Sequence, residues 1–134
     1  MATNQSLSRL QALLASLPAE LKAPILAETF NQAEVLRREM IFRVPVREGA
    51  GGGTLRNSIR VEKGRKEMRV LVRAGGDPTK VHGYDYALAQ EFGTQKQPAQ
   101  PFFWISYRKR KAGIRRAMKQ AAKDAIKANW RNRA

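Results

Sequence analysis

Few residues in this chain are of the types that catalyse. There is one histidine, His82, and no cysteine. His82 lies in a glycine-rich stretch with few acids nearby to complete a metal site or a catalytic triad. Without cysteine there is neither a disulfide framework nor thiolate chemistry. Between Glu67 and Asp124 the only acids are Asp77, Asp85 and Glu91. Paired carboxylates hold metal in nucleases, and Asp85 with Glu91 is the one pair available for that here. The structural alternative is that Glu91 caps backbone amides or pairs with an arginine such as Arg47 or Arg56. The structural role is the expected one, so the expectation is no enzyme activity, no cofactor and no metal.

What the chain has in quantity is positive charge. The 134 residues carry a formal net charge of +15. Through Phe42, four bases (Arg9, Lys22, Arg37, Arg38) cancel four acids (Glu20, Glu28, Glu34, Glu39). From Arg43 onward, 22 bases face seven acids. Such a field favours a polyanion, most simply nucleic acid. A solvated face or a tail of the kind ribosomal proteins carry is the plainer reading, and charge alone does not separate the two. No helix-turn-helix, zinc-finger or RNA-recognition signature is present, so the composition permits sequence-independent contact with a phosphate backbone. No apolar run approaches the ~20 residues of a membrane span. The N-terminus lacks the pattern of a signal peptide, which predicts a protein that stays in the cytosol.

The elements that position these residues follow from hydrophobic spacing. At this length the chain is expected to be one domain, 1–134, with residues 1–18 as a helical arm. Leu7, Leu10, Leu13, Leu14 and Leu17 recur at helical spacing and predict a helix from about Gln5 to Ser16, ended by Pro18. A second helix is predicted from about Ala19 to Phe42, with Leu21, Ile25, Phe30, Ala33, Leu36 and Met40 inward. Pro24 must lie near its first turn or kink it, and Val44, preceding Pro45, closes it. The glycines in 48–54 do not match a phosphate-binding loop, and that stretch, like 75–83, reads as a flexible loop. Leu55–Val61 and Met68–Arg73 alternate and predict two half-buried strands. The link between them contains Gly64, placed where a hairpin needs φ > 0. Arg56, Arg60, Arg69 and Arg73 are then expected along one exposed sheet face.

Tyr84–Phe92 fits a strand or a short helix. After it, Gly93 can take a positive φ, and Pro98 and Pro101 stiffen the connection to the last helix. That helix is predicted from about Pro101 to Trp130, with a weak point at Gly113. Phe102, Phe103 and Trp104 anchor its root. Ile114, Ala117, Met118, Ala121, Ala125 and Ile126 form an inner stripe. Its other faces carry Arg108, Lys109, Arg110, Lys111, Arg115, Arg116, Lys119, Lys123 and Lys127. The expected fold class is α+β: long N-terminal helices and a long C-terminal helix packed on a small antiparallel sheet.

Three motifs in order carry a family resemblance. Val44-Pro45-Val46-Arg47-Glu48-Gly49 followed by Leu55-Arg56-Asn57-Ser58-Ile59 is the first. Tyr86-Ala87 with Glu91-Phe92-Gly93-Thr94 is the second, and Pro98-Ala99-Gln100-Pro101-Phe102 is the third. Together they resemble the tail-completion (neck) proteins of long-tailed bacteriophages, over roughly residues 30 to 130. Departures are Glu48 where threonine is usual, Ala50-Gly51-Gly52-Gly53 as an insertion that lengthens the loop, Gln100 where arginine is usual, and a heavier basic run after Trp104. The resemblance makes Pro45, Arg47, Leu55, Arg56, Ser58, Tyr86, Glu91, Gly93, Thr94, Pro98, Pro101 and Phe102 structural motif positions. It implies a virion protein without enzyme activity, assembled in the host cytoplasm. Its place would be the neck, at the head-proximal end of the tail, as a homo-oligomeric ring with a hexamer the expected size. The implied partners are further copies of itself, the tail tube or terminator protein, the head-completion or connector protein, and genomic DNA in the lumen, with no membrane. DNA-facing candidates are Arg56, Arg60, Arg69, Arg73, Arg108, Lys109, Arg110, Lys111, Arg115, Arg116 and Lys119. The alternative is a basic, sequence-independent nucleic-acid-binding protein acting as a monomer or dimer. A nuclease using Asp85 and Glu91 comes third.

Overall fold

Two long antiparallel helices form the frame of the computed structural model, which describes residues 4–44, 54–76, 79–81, 84–95 and 98–133. In chain order the elements are α1 (Asn4–Ala15), α2 (Ala19–Arg43), α3 (Thr54–Ser58), β1 (Arg60–Lys63), β2 (Val70–Arg73), β3 (Lys80–Val81), β4 (Tyr84–Asp85), α4 (Tyr86–Phe92) and α5 (Phe103–Arg133). Helix α2 packs along α5 and against the β1–β2 hairpin. The α+β class, with a long N-terminal helix and a long C-terminal helix on a small antiparallel sheet, is the observed one.

The boundary between α1 and α2 is local chemistry. The Ser16 hydroxyl donates to the Leu13 carbonyl at 2.8 Å, using an acceptor left over at the helix end. Pro18 then stands extended (φ −58°, ψ 148°) as the N-cap of α2. Its carbonyl receives the N–H groups of Leu21 and Lys22 at 3.0 and 3.1 Å. Pro24 is the sixth residue of α2, one turn past the unpaired N–H groups of the helix start, so it leaves the Glu20 carbonyl without its i+4 donor. Further along, Ala33, Leu36 and Met40 are buried, while Leu21, Ile25 and Phe30 are half-buried.

The core joins Leu36, Met40 and Val44 of the α2 end to Leu55 and Ile59 around α3, Ala87 of α4 and Phe102. Ile41, Val72, Ala74, Phe103 and Ile114 pack around it. Leu55–Val61 is not one strand: Thr54–Ser58 is helical, and only Arg60–Lys63 pairs with β2. Leu55, Ser58 and Ile59 are all buried, which is a helical spacing, and the Ser58 hydroxyl bonds back to the Leu55 carbonyl at 2.6 Å. The second strand likewise starts at Val70, not Met68.

The hairpin turn differs from expectation as well. The positive φ belongs to Met68 (62°), not to Gly64. Gly64 provides space instead: a Cβ there would stand 2.7 Å from Cγ and 2.8 Å from Cβ of Arg69. The Gly64 N–H reaches the Arg69 carbonyl at 2.7 Å.

The stretch 75–83 is not wholly a loop. Thr79 is fully buried, and β3 pairs antiparallel with β4, Lys80 opposite Asp85 and Val81 opposite Tyr84. Tyr84–Phe92 takes both of its anticipated forms, two strand residues and then helix α4. Helix α5 starts at Phe103 rather than Pro101 and passes through Gly113 without a break. Ile126 is exposed and does not belong to the inner stripe that buries Ala125. Pro45, Arg47, the loop residues 48–53, Asp77 and His82 lie outside the described residues.

Candidate nucleic-acid interface

The root of α5 is fastened by one carboxylate. Glu91 Oε2 accepts the N–H groups of Phe102 and Phe103 at 2.8 and 2.9 Å, and Oε1 accepts that of Trp104 at 3.1 Å. Those amides have no partner within their own helix, and a negative charge complements the positive end of the helix dipole. Glu91 reaches them because α4 stops where it does. Gly93, at φ 79°, returns its N–H to the Ala89 carbonyl at 2.7 Å and turns the chain away. Gln90 and Gln100 then clip the two arms together, side chain to side chain at 2.7 Å and backbone to backbone at 2.8 Å. Phe102, 1 % exposed, fills the core beneath. Both Glu91 oxygens are thus committed to backbone amides, which is the capping role expected of it, and the metal-pair reading loses its second ligand. Among the described residues no group of acids and histidines could hold a metal ion.

From this root α5 runs 31 residues. Its expected cations divide into two sets. Lys109 and Arg110 are held against α2 by Glu39, a buried carboxylate, at 3.1 and 2.8 Å, with Arg43 on the same group at 3.2 Å. The hydrogen bonds from Arg110 and Lys109 bring the Glu39 pKa from 4.5 down to about 2, against the opposing effect of burial. These two cations are therefore tied to α2, although both side chains stay exposed and one carboxylate balances only one of the three charges around it. Glu39 was not anticipated from sequence as anything but a balancing charge. Its signal was its position beside Met40 and three residues after Leu36, at the edge of the buried stripe.

The second set is exposed and makes no ion pair with the described carboxylates: Arg108, Lys111, Arg115, Arg116, Lys119, Lys123 and Lys127. At 100° per residue, Arg108, Arg115, Lys119 and Lys123 fall on the helix side opposite Ala117, Ala121 and Ala125. From Arg108 to Lys123 that row is roughly 22 Å long at 1.5 Å per residue.

The hairpin does not supply the anticipated row of four arginines. Arg60 and Arg73 are register partners. Both pair with Glu62, at 2.7 and 3.2 Å; the hydrogen bond from Arg60 first, and then the charges of Arg60 and Arg73, hold its carboxyl below the ordinary range. Arg56 is exposed on α3, outside the sheet, and Arg69 lies in the turn with its stem over Gly64. Arg60 also donates to the carbonyls of Ser58 and Gly75 at 2.9 and 3.0 Å, while the Gly75 N–H donates to the Ser58 hydroxyl at 2.9 Å. Ser58, a motif position, therefore ties α3 to the chain leaving β2. Thr94, Pro98 and Pro101 are exposed; Tyr86 opens α4.

Comparison with known protein families, with characterised proteins and with solved structures finds no match. The arrangement itself offers a rigid rod of cations on an anchored helix. It suits phosphates, because lysines and arginines along a single outer face meet a backbone without reaching base edges in any fixed pattern. Among the described residues no helix is long and apolar enough to cross a membrane.

Proposed function

We propose that this chain is a structural protein of the head-tail junction of a long-tailed bacteriophage, acting as a ring through which DNA passes. The observation that carries the reading is the junction at Glu91. Two of the three motifs that resemble the neck family meet there, Glu91-Phe92-Gly93-Thr94 supplying the cap and turn, and Pro98 to Phe102 the segment that is capped. Motif positions that serve the path of the chain rather than a reacting centre are what a scaffold role requires. The exposed cations of α5 give such a scaffold a surface for a passing polyanion.

The alternative is a basic nucleic-acid-binding protein acting as a monomer or dimer, and the α5 row favours it equally. Mass in solution and in assembled particles separates the two. A closed ring, present at the neck of particles, is the expected result. A monomer or dimer absent from particles, with sequence-independent DNA binding, overturns the neck reading in favour of the alternative. A nuclease assay on the chain and on its Asp85→Ala and Glu91→Ala variants addresses the third reading, and no cleavage is expected.

A further inference from the structure

The β1–β2 sheet has two strands, and among the described residues nothing pairs with the outer edge of β2. The pairing pattern tells which groups that edge presents. Gly64 donates to the Arg69 carbonyl directly opposite, so that pair is hydrogen-bonded. Bonded pairs alternate along an antiparallel ladder, which makes Glu62–Leu71 and Arg60–Arg73 bonded pairs too. The N–H and C=O groups of Val70 and Val72 therefore point outward, away from β1.

An open groove of about 510 Å³ meets the Val72 end of this edge. Val72 and Ala74 form one wall; Leu88, Phe92, Phe103 and Trp104 form the other. Leu88 is 60 % exposed, Phe92 66 % and Trp104 46 %, an unusual concentration of large apolar groups at the surface of a chain this charged. Arg60, Arg73 and Glu91 also line the groove and Glu62 pairs with both arginines, so these local charges balance and the pull on an acidic segment comes from the +15 of the whole chain.

We propose that this edge and groove receive an extended, acidic-apolar segment of a partner protein, added to β2 as a third strand. Main-chain bonds to Val70 and Val72 hold such a segment, and its alternate side chains divide between the apolar groove and the arginine rim. A two-stranded sheet is marginal by itself, and a third strand completes it. The charge favours the partner: the chain's +15 attracts an acidic segment and disfavours one drawn from the basic part of a second copy, from Arg43 onward. This inference does not depend on the neck assignment.

The probe is a ten-residue peptide of alternating valine and glutamate with blocked ends, titrated into the full chain at moderate salt. Binding is expected to shift the Val70 and Val72 amide resonances and slow their hydrogen exchange. The Leu88→Glu/Phe92→Glu variant, altered only at exposed positions, should keep its melting temperature and bind at least about tenfold more weakly. Full N-methylation of the peptide backbone should abolish binding. Equal binding of the N-methylated peptide, or of a glutamate-only peptide of the same charge, would reduce the contact to bulk electrostatics and overturn the proposal. Absence of binding overturns it as well. So does a free chain that is already dimeric with those two amides protected, because a second copy then owns the edge.

Discussion

At Glu91 one side chain does work that a loop would otherwise leave to water. Its carboxylate gathers three amides that the helix itself leaves without partners. Glu91→Ala removes a charged acceptor from a buried helix end, and the expected loss is roughly 1–3 kcal/mol, measured by urea unfolding. Glu91→Gln retains one acceptor oxygen and should lose less. Equal losses would mean that the carboxylate's charge and second oxygen contribute nothing. Gly93 is needed for a different reason. Its φ of 79° is a conformation that branched side chains resist, and Gly93→Val should cost on the order of 1–3 kcal/mol in the same assay. If the variant unfolds at the same urea concentration as the parent, that backbone constraint is wrong.

Between elements the decisive contact is Glu39 against Lys109, Arg110 and Arg43. Its pKa is lower folded than unfolded, so the contribution is full above the unfolded value near 4.5 and disappears as pH falls toward about 2. Comparison of the chain with Glu39→Gln isolates it. The stability gap between them should be widest at neutral pH and should close between pH 5 and 2, followed by denaturant unfolding at each pH. A gap independent of pH in that window would place the effect in packing instead. The outer face of α5 invites a separate test. Replacing Arg108, Arg115, Lys119 and Lys123 with glutamine should weaken duplex DNA binding and leave the helix unchanged. The salt slope should fall by up to about 0.9 for each phosphate that is no longer neutralised. The paired Arg60 and Arg73 should matter less when replaced in the same way, because Glu62 already neutralises part of their charge. An equal or larger effect from that pair would put DNA on the hairpin.

For the whole molecule, charge opposes self-association. Every copy of the chain brings +15, so the proposed ring must form against repulsion unless salt or a polyanion screens it. Sedimentation at rising salt, and with short duplex DNA of unrelated sequences, should move the population from small species toward rings. A distribution unmoved by either would show that charge does not limit assembly. Particles then report the setting: with the ring in place, the α5 cations are expected to line the DNA path rather than the outer wall.

Much of the frame was legible from local rules. The two long helices, the break at Pro18, the hairpin and the positive φ at Gly93 follow from hydrophobic period, proline chemistry and glycine's missing Cβ, all properties of neighbours in sequence. The capping role of Glu91 was legible as one of two choices, since an acid before a glycine and a helix start has few structural uses. The strand expected at Leu55–Val61 was not, because alternating residues that include Leu55 and Ile59 satisfy a strand pattern and a helical one alike. Burial of Leu55, Ser58 and Ile59 against α2 settled it in favour of α3. Nor did sequence separate free cations from bound ones. Lys109 and Arg110 look the same as Arg108 and Lys111 along the chain, and only the antiparallel packing of α5 on α2 brings Glu39 within reach of the first two. Sequence determines how much charge there is; the tertiary arrangement decides which charges remain available, because an ion pair depends on distance through space.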